Sequence, residues 1–273
     1  MRTNPAPPPS LEFRPDTKLF VGVIHLRALP GSPRWGGSSD AVVARAMADA
    51  RAYERGGADA VVIENFHDVP FTRGPVPPET VAAMAVAGRA VREAVRLPLG
   101  FNVLRNDAHA GLALCAACGG SFIRVNVLSG AMVTDQGVIE GRAFEVLRLR
   151  RALCPQAQIF ADVHVKHALP LAPIPIEIAA RDTLERGLAD GLIVSGTGTG
   201  VATDLKDVER VRSACPRARI FIGSGIAADT VAAYLPWADG VIVGTSLKKN
   251  GRVDQPVDEK RVARLAQAVK RGG

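Results

Sequence analysis

The sequence is poor in the residues that mark several protein classes. Its 273 residues include only 4 cysteines, and aromatic residues make up 5% of the chain. So few cysteines cannot form the disulfide framework of a secreted scaffold, and no apolar run approaches the roughly 18 residues of a transmembrane helix. The first residues, MRTNPAPPPSLEFRPD, lack the apolar segment of a signal peptide. These absences predict a reduced, cytoplasmic protein without a transmembrane segment.

The composition is that of a globular protein with a substantial core. Hydrophobic residues make up 47% of the chain, charged residues 22%, and the formal net charge is +7. The length fits either one large domain or two small ones. Five prolines and the lack of hydrophobic periodicity over residues 1–16 predict an extended tail that packs against little, so we expect the folded domain to span 17–273.

Eight apolar, β-branched segments alternate with longer segments of helical period. This order is typical of repeated βα units and a parallel sheet. Because no GxGxxG follows the first strand, the pattern favours one closed (β/α)8 TIM barrel over a doubly wound sheet, and no nucleotide cofactor is expected. The predicted strands are 18–25, 58–64, 97–103, 121–126, 158–164, 190–195, 218–224 and 239–244, and the predicted helices are 39–55, 78–95, 107–118, 141–153, 176–187, 204–214, 227–235 and 257–271.

All five histidines fall at or just beyond predicted strand ends. They are His25, His67, His109, His164 and His167. In a TIM barrel the active site lies at the C-terminal ends of the strands. A single histidine in a loop is usually a solvated or locally hydrogen-bonded group, but five at one rim favour a functional face.

The fifth predicted strand carries the densest polar signal. Asp162, His164 and Lys166 alternate with apolar residues, so a period of two places all three on one face, at the mouth of the barrel. The three groups could supply acid and base chemistry, or Asp162 and His164 could bind a divalent metal. The alternative is a salt-bridged lumen that has only a structural role.

Neighbouring strands end in polar residues that should face the same mouth. Glu64 and His25 are candidate catalytic residues beside the fifth-strand group. Arg124 is either a structural counter-ion or a clamp for an anionic substrate. The candidate substrate-binding residues are Asn65, Asn102, Arg124 and Asn126.

Glycine and hydroxyl residues follow the last three predicted strands. In many barrels these loops bind phosphate through backbone N–H groups. One glycine-rich loop is weak evidence, since strand-to-helix turns often need glycine, but three together predict a phosphorylated ligand. The candidate phosphate-binding residues are Ser195, Gly196, Gly223, Ser224, Gly225, Gly244, Thr245 and Ser246.

Two other features favour ordinary structural roles. Cys115 and Cys118 form a CxxC within an Ala-rich helix, without the second ligand pair of a zinc site. The basic residues from Lys248 to Arg271 are mixed with acidic residues and lack aromatic neighbours for base stacking. We therefore expect buried helix cysteines, a solvated basic helix face and no nucleic-acid partner.

Several motifs at the predicted loops resemble those of the BtpA/SgcQ family, over about residues 18–270. They are GVIHL at 22–26 with LPGSP at 29–33, ENFHDVPF at 64–71, NVLRND at 102–107, FIRVN at 122–126, ADVHVKHA at 161–168 and GVIVGTSLK at 240–248. The resemblance implies a TIM barrel related to the ribulose-phosphate-binding barrels. One branch of the family is associated with photosystem I biogenesis at the thylakoid surface, and the other with sugar utilisation.

Two functions follow as hypotheses. The first is an enzyme that acts on a phosphorylated sugar or nucleoside-like compound at the C-terminal barrel face, by lyase, isomerase or glycosidic-bond chemistry, with a divalent metal left open. The second is a noncatalytic accessory factor in photosystem I or membrane-complex biogenesis. Peripheral membrane association and a homo-oligomer are both compatible with the sequence.

Overall fold

The computed structural model describes residues 9–14 and 17–272, and it confirms the predicted TIM barrel. The strands, numbered along the chain, are β1 (Leu19–His25), β2 (Ala60–Glu64), β3 (Leu99–Asn102), β4 (Phe122–Val125), β5 (Ala131–Thr134), β6 (Gly137–Glu140), β7 (Gln158–Val163), β8 (Ala168–Pro170), β9 (Gly191–Val194), β10 (Ile220–Ile222) and β11 (Gly240–Val243). Eight of them close a parallel barrel in the order β1-β11-β10-β9-β7-β4-β3-β2. Each barrel strand overlaps one of the eight predicted strands.

Helices surround the barrel, as in the alternating pattern of the sequence. They are α1 (Ser39–Gly56), α2 (Pro78–Ala94), α3 (Ala108–Cys118), α4 (Ala143–Leu153), α5 (Ile176–Arg181), α6 (Leu205–Ala214) and α7 (Glu259–Arg271). Local sequence sets the ends of α1: the Ser38 Oγ accepts a hydrogen bond from the Ala41 N–H at 3.2 Å, and Gly57 adopts φ 87° after the last turn. Cys115 and Cys118 are buried free thiols on α3, in agreement with the expected structural role.

Two predicted helices differ from those observed. The segment 227–235 forms only a 3₁₀ turn, Val231–Ala233, and Pro236 follows it. The predicted helix 176–187 is divided into α5 and a π-helical turn, Asp182–Arg186. Both segments are short, so tertiary packing rather than helix propensity decides their conformation.

A small antiparallel sheet that the sequence did not predict extends beyond the barrel. Its strands pair in the order β6-β5-β8. One face packs Met132 and Ile139 into a small apolar cluster with Val165. This packing fixes the chain directly after β7, next to the C-terminal mouth of the barrel.

Residues 9–14 close the opposite, N-terminal end of the barrel. Leu11 is 4% exposed and belongs to the cluster of side chains inside the barrel. The Phe13 ring lies 5.8 Å from the ring of Phe221 and 6.1 Å from that of Phe160, and the Arg219 guanidinium lies 4.0 Å above it. The expectation that the tail packs against little therefore does not hold for this segment, and residues 1–8 and 15–16 lie outside the described residues.

None of the helices in the described part of the chain has the length and hydropathy needed to span a bilayer.

Candidate functional site

A cavity of about 380 Å³ opens at the C-terminal ends of the barrel strands. Ten of the residues predicted for the site contribute to its lining: His25, Glu64, Arg124, Lys166, Gly223, Ser224, Gly225, Gly244, Thr245 and Ser246. The cavity thus has ionisable side chains together with two glycine-containing loops. The roles of these residues stay predictions, but the fold brings them together.

Strand register places Glu64 between His25 and Asn102. In the barrel His25 pairs with Glu64, and Glu64 pairs with Asn102. The Asn102 amide donates to Glu64 Oε1 at 2.9 Å, and His25 Nε2 lies 3.8 Å from Glu64 Oε2. Burial, together with the nearby Lys248 and Lys166, holds the pKa of His25 well below its usual value, so the imidazole is neutral near pH 7.

Arg124 and Asp162 form a buried bidentate ion pair below the cavity. The guanidinium donates to the two Asp162 oxygens at 2.9 and 2.8 Å, and a third nitrogen lies 3.5 Å from Glu64 Oε1. The Asn126 amide donates to Asp162 Oδ2 at 3.0 Å. Burial alone would lower the pKa of Arg124, but the charge and hydrogen bonds of Asp162 outweigh burial and raise it. Arg124 is therefore engaged as a counter-ion, while one edge of it still faces the cavity.

Lys166 lines the cavity without an ion-pair partner. In the described part of the chain its ammonium group takes part in no hydrogen bond and no salt bridge. Burial, reinforced by Arg124, lowers the pKa of Lys166 to about 8. The side chain is thus a partly desolvated amine at a solvent-accessible cavity.

The loops after β9 and β10 are joined by Ser224. Its Oγ accepts a hydrogen bond from the Gly196 N–H at 2.7 Å and donates to the Val201 carbonyl at 3.0 Å. This hydroxyl is consequently occupied in holding the two loops together. Ser195 lies beside the same loop, and its buried hydroxyl has no hydrogen-bond partner among the described residues.

Two glycines leave room for the functional side chains. A Cβ at Gly223 would lie 2.6 Å from Ile193 and 3.3 Å from the Arg124 guanidinium, and a Cβ at Gly244 would lie 2.6 Å from His25. The two distances of 2.6 Å, to Ile193 and to His25, are shorter than normal contacts. Glycine at these positions lets the backbone of the two loops approach the cavity closely.

Seven predicted site residues are not part of the cavity lining: Asn65, Asn102, Asn126, Asp162, His164, Ser195 and Gly196. Two of them, His164 and Asn65, differ most from the predicted arrangement. The alternation that grouped His164 with Asp162 ends at Val163, the last residue of β7, and His164 adopts φ 51°. The charges nearest to His164 belong to α5 and α6, outside the barrel. Asn65 holds the loop after β3 instead, since its Oδ1 accepts from the Leu104 N–H at 2.7 Å.

Residues beyond the listed candidates also line the cavity. Thr199 and Gly200 belong to the glycine-rich loop predicted to lie over the ligand, and Arg261 was not singled out from the sequence. Arg261 lies in the first turn of α7, within the basic segment predicted to be a solvated helix face. Lys248, from the same segment, is 0% exposed and its Nζ lies 3.0 Å from Asp49 Oδ2. Only the three-dimensional arrangement distinguishes these two basic residues from their neighbours.

The residues described do not include a cluster of three or more His, Cys, Asp or Glu side chains that could hold a metal ion. In the Asp162 and His164 pair proposed from the sequence as metal ligands, both Asp162 oxygens are already bonded to Arg124, and His164 follows the end of β7 in a left-handed conformation. The structure therefore gives no support to a metal centre built from that pair.

Solved structures with the same fold include several barrel enzymes. The chain superimposes on phosphoribosyl anthranilate isomerase from Thermus thermophilus with a TM-score of 0.56 at 15% identity, over 92% of this chain and 98% of the other. Tryptophan synthase from Mycobacterium tuberculosis gives a TM-score of 0.60 at 18% identity, over 93% of each chain. At these identities the similarity shows the fold alone.

Several other proteins are much more similar to this chain in sequence than these solved structures are. The photosystem I biogenesis protein BtpA of Synechocystis sp. is 46% identical over 252 residues, which cover 92% of this chain and 88% of the relative. An uncharacterized protein of Pyrococcus furiosus is 44% identical over 92% of this chain and 94% of the relative, and a mitochondrial uncharacterized protein of Caenorhabditis elegans is 32% identical over 92% of each. The BtpA family model matches residues 16–271. The chain therefore belongs to the BtpA family.

Proposed function

We propose that this protein is an enzyme that binds a phosphorylated small molecule in the cavity at the barrel mouth. The observation that carries the proposal is the composition of one cavity, which is lined by glycine-containing loops as well as by ionisable side chains. Its volume of about 380 Å³ falls within the range of about 300–1,000 Å³ common for small-molecule sites. A ligand with a phosphate at one end and a reactive group at the other fits this composition.

The loops after β10 and β11 supply the proposed phosphate site. Within the described residues, the backbone N–H groups of Gly225, Thr245 and Ser246 donate no hydrogen bond, so they are free to donate to a ligand. Arg261 adds a positive charge at the rim, where one of its nitrogens donates to the Ser246 carbonyl at 3.1 Å. The remaining guanidinium donors can contact a phosphate oxygen.

Ionisable side chains of the same cavity are the candidate groups for proton transfer. Glu64 accepts a hydrogen bond from Asn102 and lies near the neutral imidazole of His25, and Lys166 faces the same space. An acceptor, a neutral imidazole and an amine in one cavity suit general acid and base catalysis. Lyase, isomerase and glycosidic-bond reactions all use such groups.

An accessory role in the assembly of photosystem I or another membrane complex is the second candidate function, and the name of the Synechocystis relative favours it. A relative in an animal, Caenorhabditis elegans, argues against photosystem assembly as the property that these proteins share.

We place the enzyme in the cytoplasm, with peripheral membrane contact and self-association as further properties to measure.

A thermal-shift screen of phosphorylated sugars and nucleotides, with and without divalent cations, tests the proposal. A ligand at about 100 times its Kd should stabilise the protein by about 2.7 kcal/mol. The Arg261→Gln variant should lose most of the shift, whereas Arg264→Gln, which changes an exposed arginine on the same helix, should retain it. Absence of a shift across the panel would contradict the phosphate site.

A further inference from the structure

Resting on the proposed phosphate site, we infer that Lys166 forms an imine with the carbonyl group of the ligand, so that the substrate class is a phosphorylated aldehyde or ketone. The inference reduces the three reaction types of the proposed function to two, lyase and isomerase reactions. An imine serves cleavage or formation of a carbon–carbon bond and isomerisation, and it has no role in the hydrolysis of a glycosidic bond.

The first support is the position of the amine. Lys166 lines the same cavity as the loops of the proposed phosphate site, so a short ligand can contact both at once. Nucleophilic attack requires an amine that can reach a substrate, and a lysine engaged in an ion pair is less suited to it. Lys166 has no carboxylate partner within the residues described, whereas the buried Lys248 is bonded to Asp49 at 3.0 Å.

The second support is the way in which the backbone holds Lys166. The preceding residue, Val165, is 1% exposed and packs with Met132 in the cluster below the small sheet. A guanidinium nitrogen of Arg105 donates to the Lys166 carbonyl. The following residue, His167, donates its N–H to the Thr197 carbonyl at 3.0 Å, and its Nε2 accepts from the Thr199 N–H at 3.1 Å. Lys166 is therefore fixed on both sides, as a positioned nucleophile requires.

The third support is electrostatic. Burial and the neighbouring Arg124 lower the pKa of Lys166 to about 8, so a useful fraction of the amine is unprotonated near neutral pH. The charged and titratable groups facing it from the surrounding elements are His25 on β1, Glu64 on β2, Arg105 after β3, Arg124 on β4 and Asp162 on β7. The two arginines favour the neutral amine, while the two carboxylates oppose this effect.

The reaction balances without a redox partner. The neutral Nζ adds to the carbonyl carbon, and a proton moves from nitrogen to oxygen. Protonation of this hydroxyl group releases water and leaves a C=N⁺ iminium. The iminium then accepts the electron pair of a bond at the adjacent carbon. Loss of a C–H proton to a base such as the His25 imidazole gives an enamine, and cleavage of the C–C bond to a hydroxyl-bearing carbon gives an enamine and an aldehyde while the hydroxyl proton passes to the base. Return of the proton to the enamine carbon restores an iminium, and addition of water to this iminium releases the product and the lysine.

Reductive trapping tests the inference. The intact protein is incubated with D-glyceraldehyde 3-phosphate and sodium cyanoborohydride, and the modified lysines are assigned by peptide mass spectrometry. The chain has seven lysines, so each can be followed. We expect Lys166 to be labelled at least 10-fold faster than the exposed Lys206 and Lys260, and Lys248 to remain unlabelled. Equal labelling of Lys166 and the exposed lysines would overturn the inference.

Two comparisons separate this inference from the proposed function. Lys166→Arg keeps the charge and should abolish the fast label, whereas Lys206→Arg should leave it unchanged. Unphosphorylated glyceraldehyde should label Lys166 at least 10-fold more slowly than its phosphate. Fast labelling by both aldehydes would retain the imine and contradict the phosphate site. Stabilisation by phosphorylated ligands without preferential labelling would retain the phosphate site and contradict the imine.

The pH dependence gives a further check. The rate of labelling at Lys166 should rise with a midpoint near pH 8 and level off above it, because the amine is then largely unprotonated. The rate for a lysine in a short model peptide, whose pKa is near 10.4, should continue to rise well above pH 9. Parallel pH profiles for the two lysines would contradict a specially activated amine.

Discussion

Asp162 receives both hydrogen bonds of a bidentate pair from Arg124, at 2.8 and 2.9 Å, beneath the cavity of the barrel. The side chains of both residues are almost completely buried, with 3% of Arg124 and 0% of Asp162 exposed. A pair that is removed from water to this degree is costly to break, because the remaining charge has no solvent to stabilise it.

Substitution of Asp162 should accordingly affect stability as well as any activity. Asp162→Asn leaves the Arg124 charge without its partner, and we expect a loss of about 3 kcal/mol in the free energy of unfolding. Urea denaturation measures this loss. Glu93→Gln provides the matched control, since it breaks an exposed Arg89–Glu93 pair and should cost less than about 0.5 kcal/mol. A loss below 1 kcal/mol for Asp162→Asn would show that the buried pair is not important for stability.

The close approach of Gly244 to His25 predicts an effect on ligand binding. In Gly244→Ala the new methyl group would lie 2.6 Å from the imidazole, so His25 or the loop must move. We expect at least a 10-fold loss of affinity for the phosphorylated ligand found in the screen, measured by calorimetry, and a loss of stability of about 1–3 kcal/mol. Gly36→Ala, where the added carbon meets nothing within 4 Å, should change neither value. Unaltered affinity in Gly244→Ala would argue against binding at this loop.

Ser224 should control the order of the loop that follows β9. Ser224→Ala removes the hydrogen bonds to Gly196 and Val201. Hydrogen–deuterium exchange over residues 196–203 should become at least 10-fold faster, because a lost hydrogen bond of about 1–2 kcal/mol favours local opening by this factor. Ser213→Ala changes an exposed serine on α6 and should leave the exchange unaltered. Equal exchange in both variants would mean that other contacts hold the loop.

Stability should decrease as the pH falls below about 6.5. His25 has a lowered pKa in the folded protein and an ordinary pKa near 6.5 when unfolded, so the unfolded state binds the extra proton. Its contribution to the free energy of unfolding is therefore complete above pH 6.5 and falls by about 1.4 kcal/mol per pH unit below it. His25→Gln should flatten this dependence, as measured by urea denaturation between pH 5 and 7.5. The exposed His167→Gln should have a smaller effect, and an unchanged slope in His25→Gln would exclude His25 as the source.

The barrel strands could be predicted because both faces of each strand are buried, which requires nearly continuous apolar segments. The small sheet was missed because β5 and β6 are four residues each and lie partly exposed.

The chain near Lys166 differs from the prediction in another way. A period of two predicted that Lys166 faces the mouth, but the strand ends at Val163, and left-handed backbone at His164 and His167 directs the chain there instead. Such turns leave no periodic signal in the sequence.

The glycine-containing loops could be predicted from composition. Which of their polar groups are already hydrogen-bonded within the protein could not. Ser224 binds two backbone groups, while the Gly225 N–H donates to none of the residues that the structure describes. Both facts depend on the relative position of two loops that are distant in sequence. Arg261 is an exposed arginine among many, and only the packing of α7 beside the turn Thr245–Leu247 brings it to the cavity. Long-range geometry of this kind is determined by the whole fold.

The segment that closes the base of the barrel has a consequence for protein synthesis. Phe13 packs on Phe160 and Phe221, which are added to the growing chain much later than Phe13 itself. At about 5–20 residues per second, the 207 residues between Phe13 and Phe221 take roughly 10–40 s to synthesise. Until Phe160 and Phe221 have been made, the Phe13 ring lacks its native aromatic partners. The nascent chain therefore exposes an unpacked apolar segment to chaperones until β10, which carries Phe221, has been synthesised.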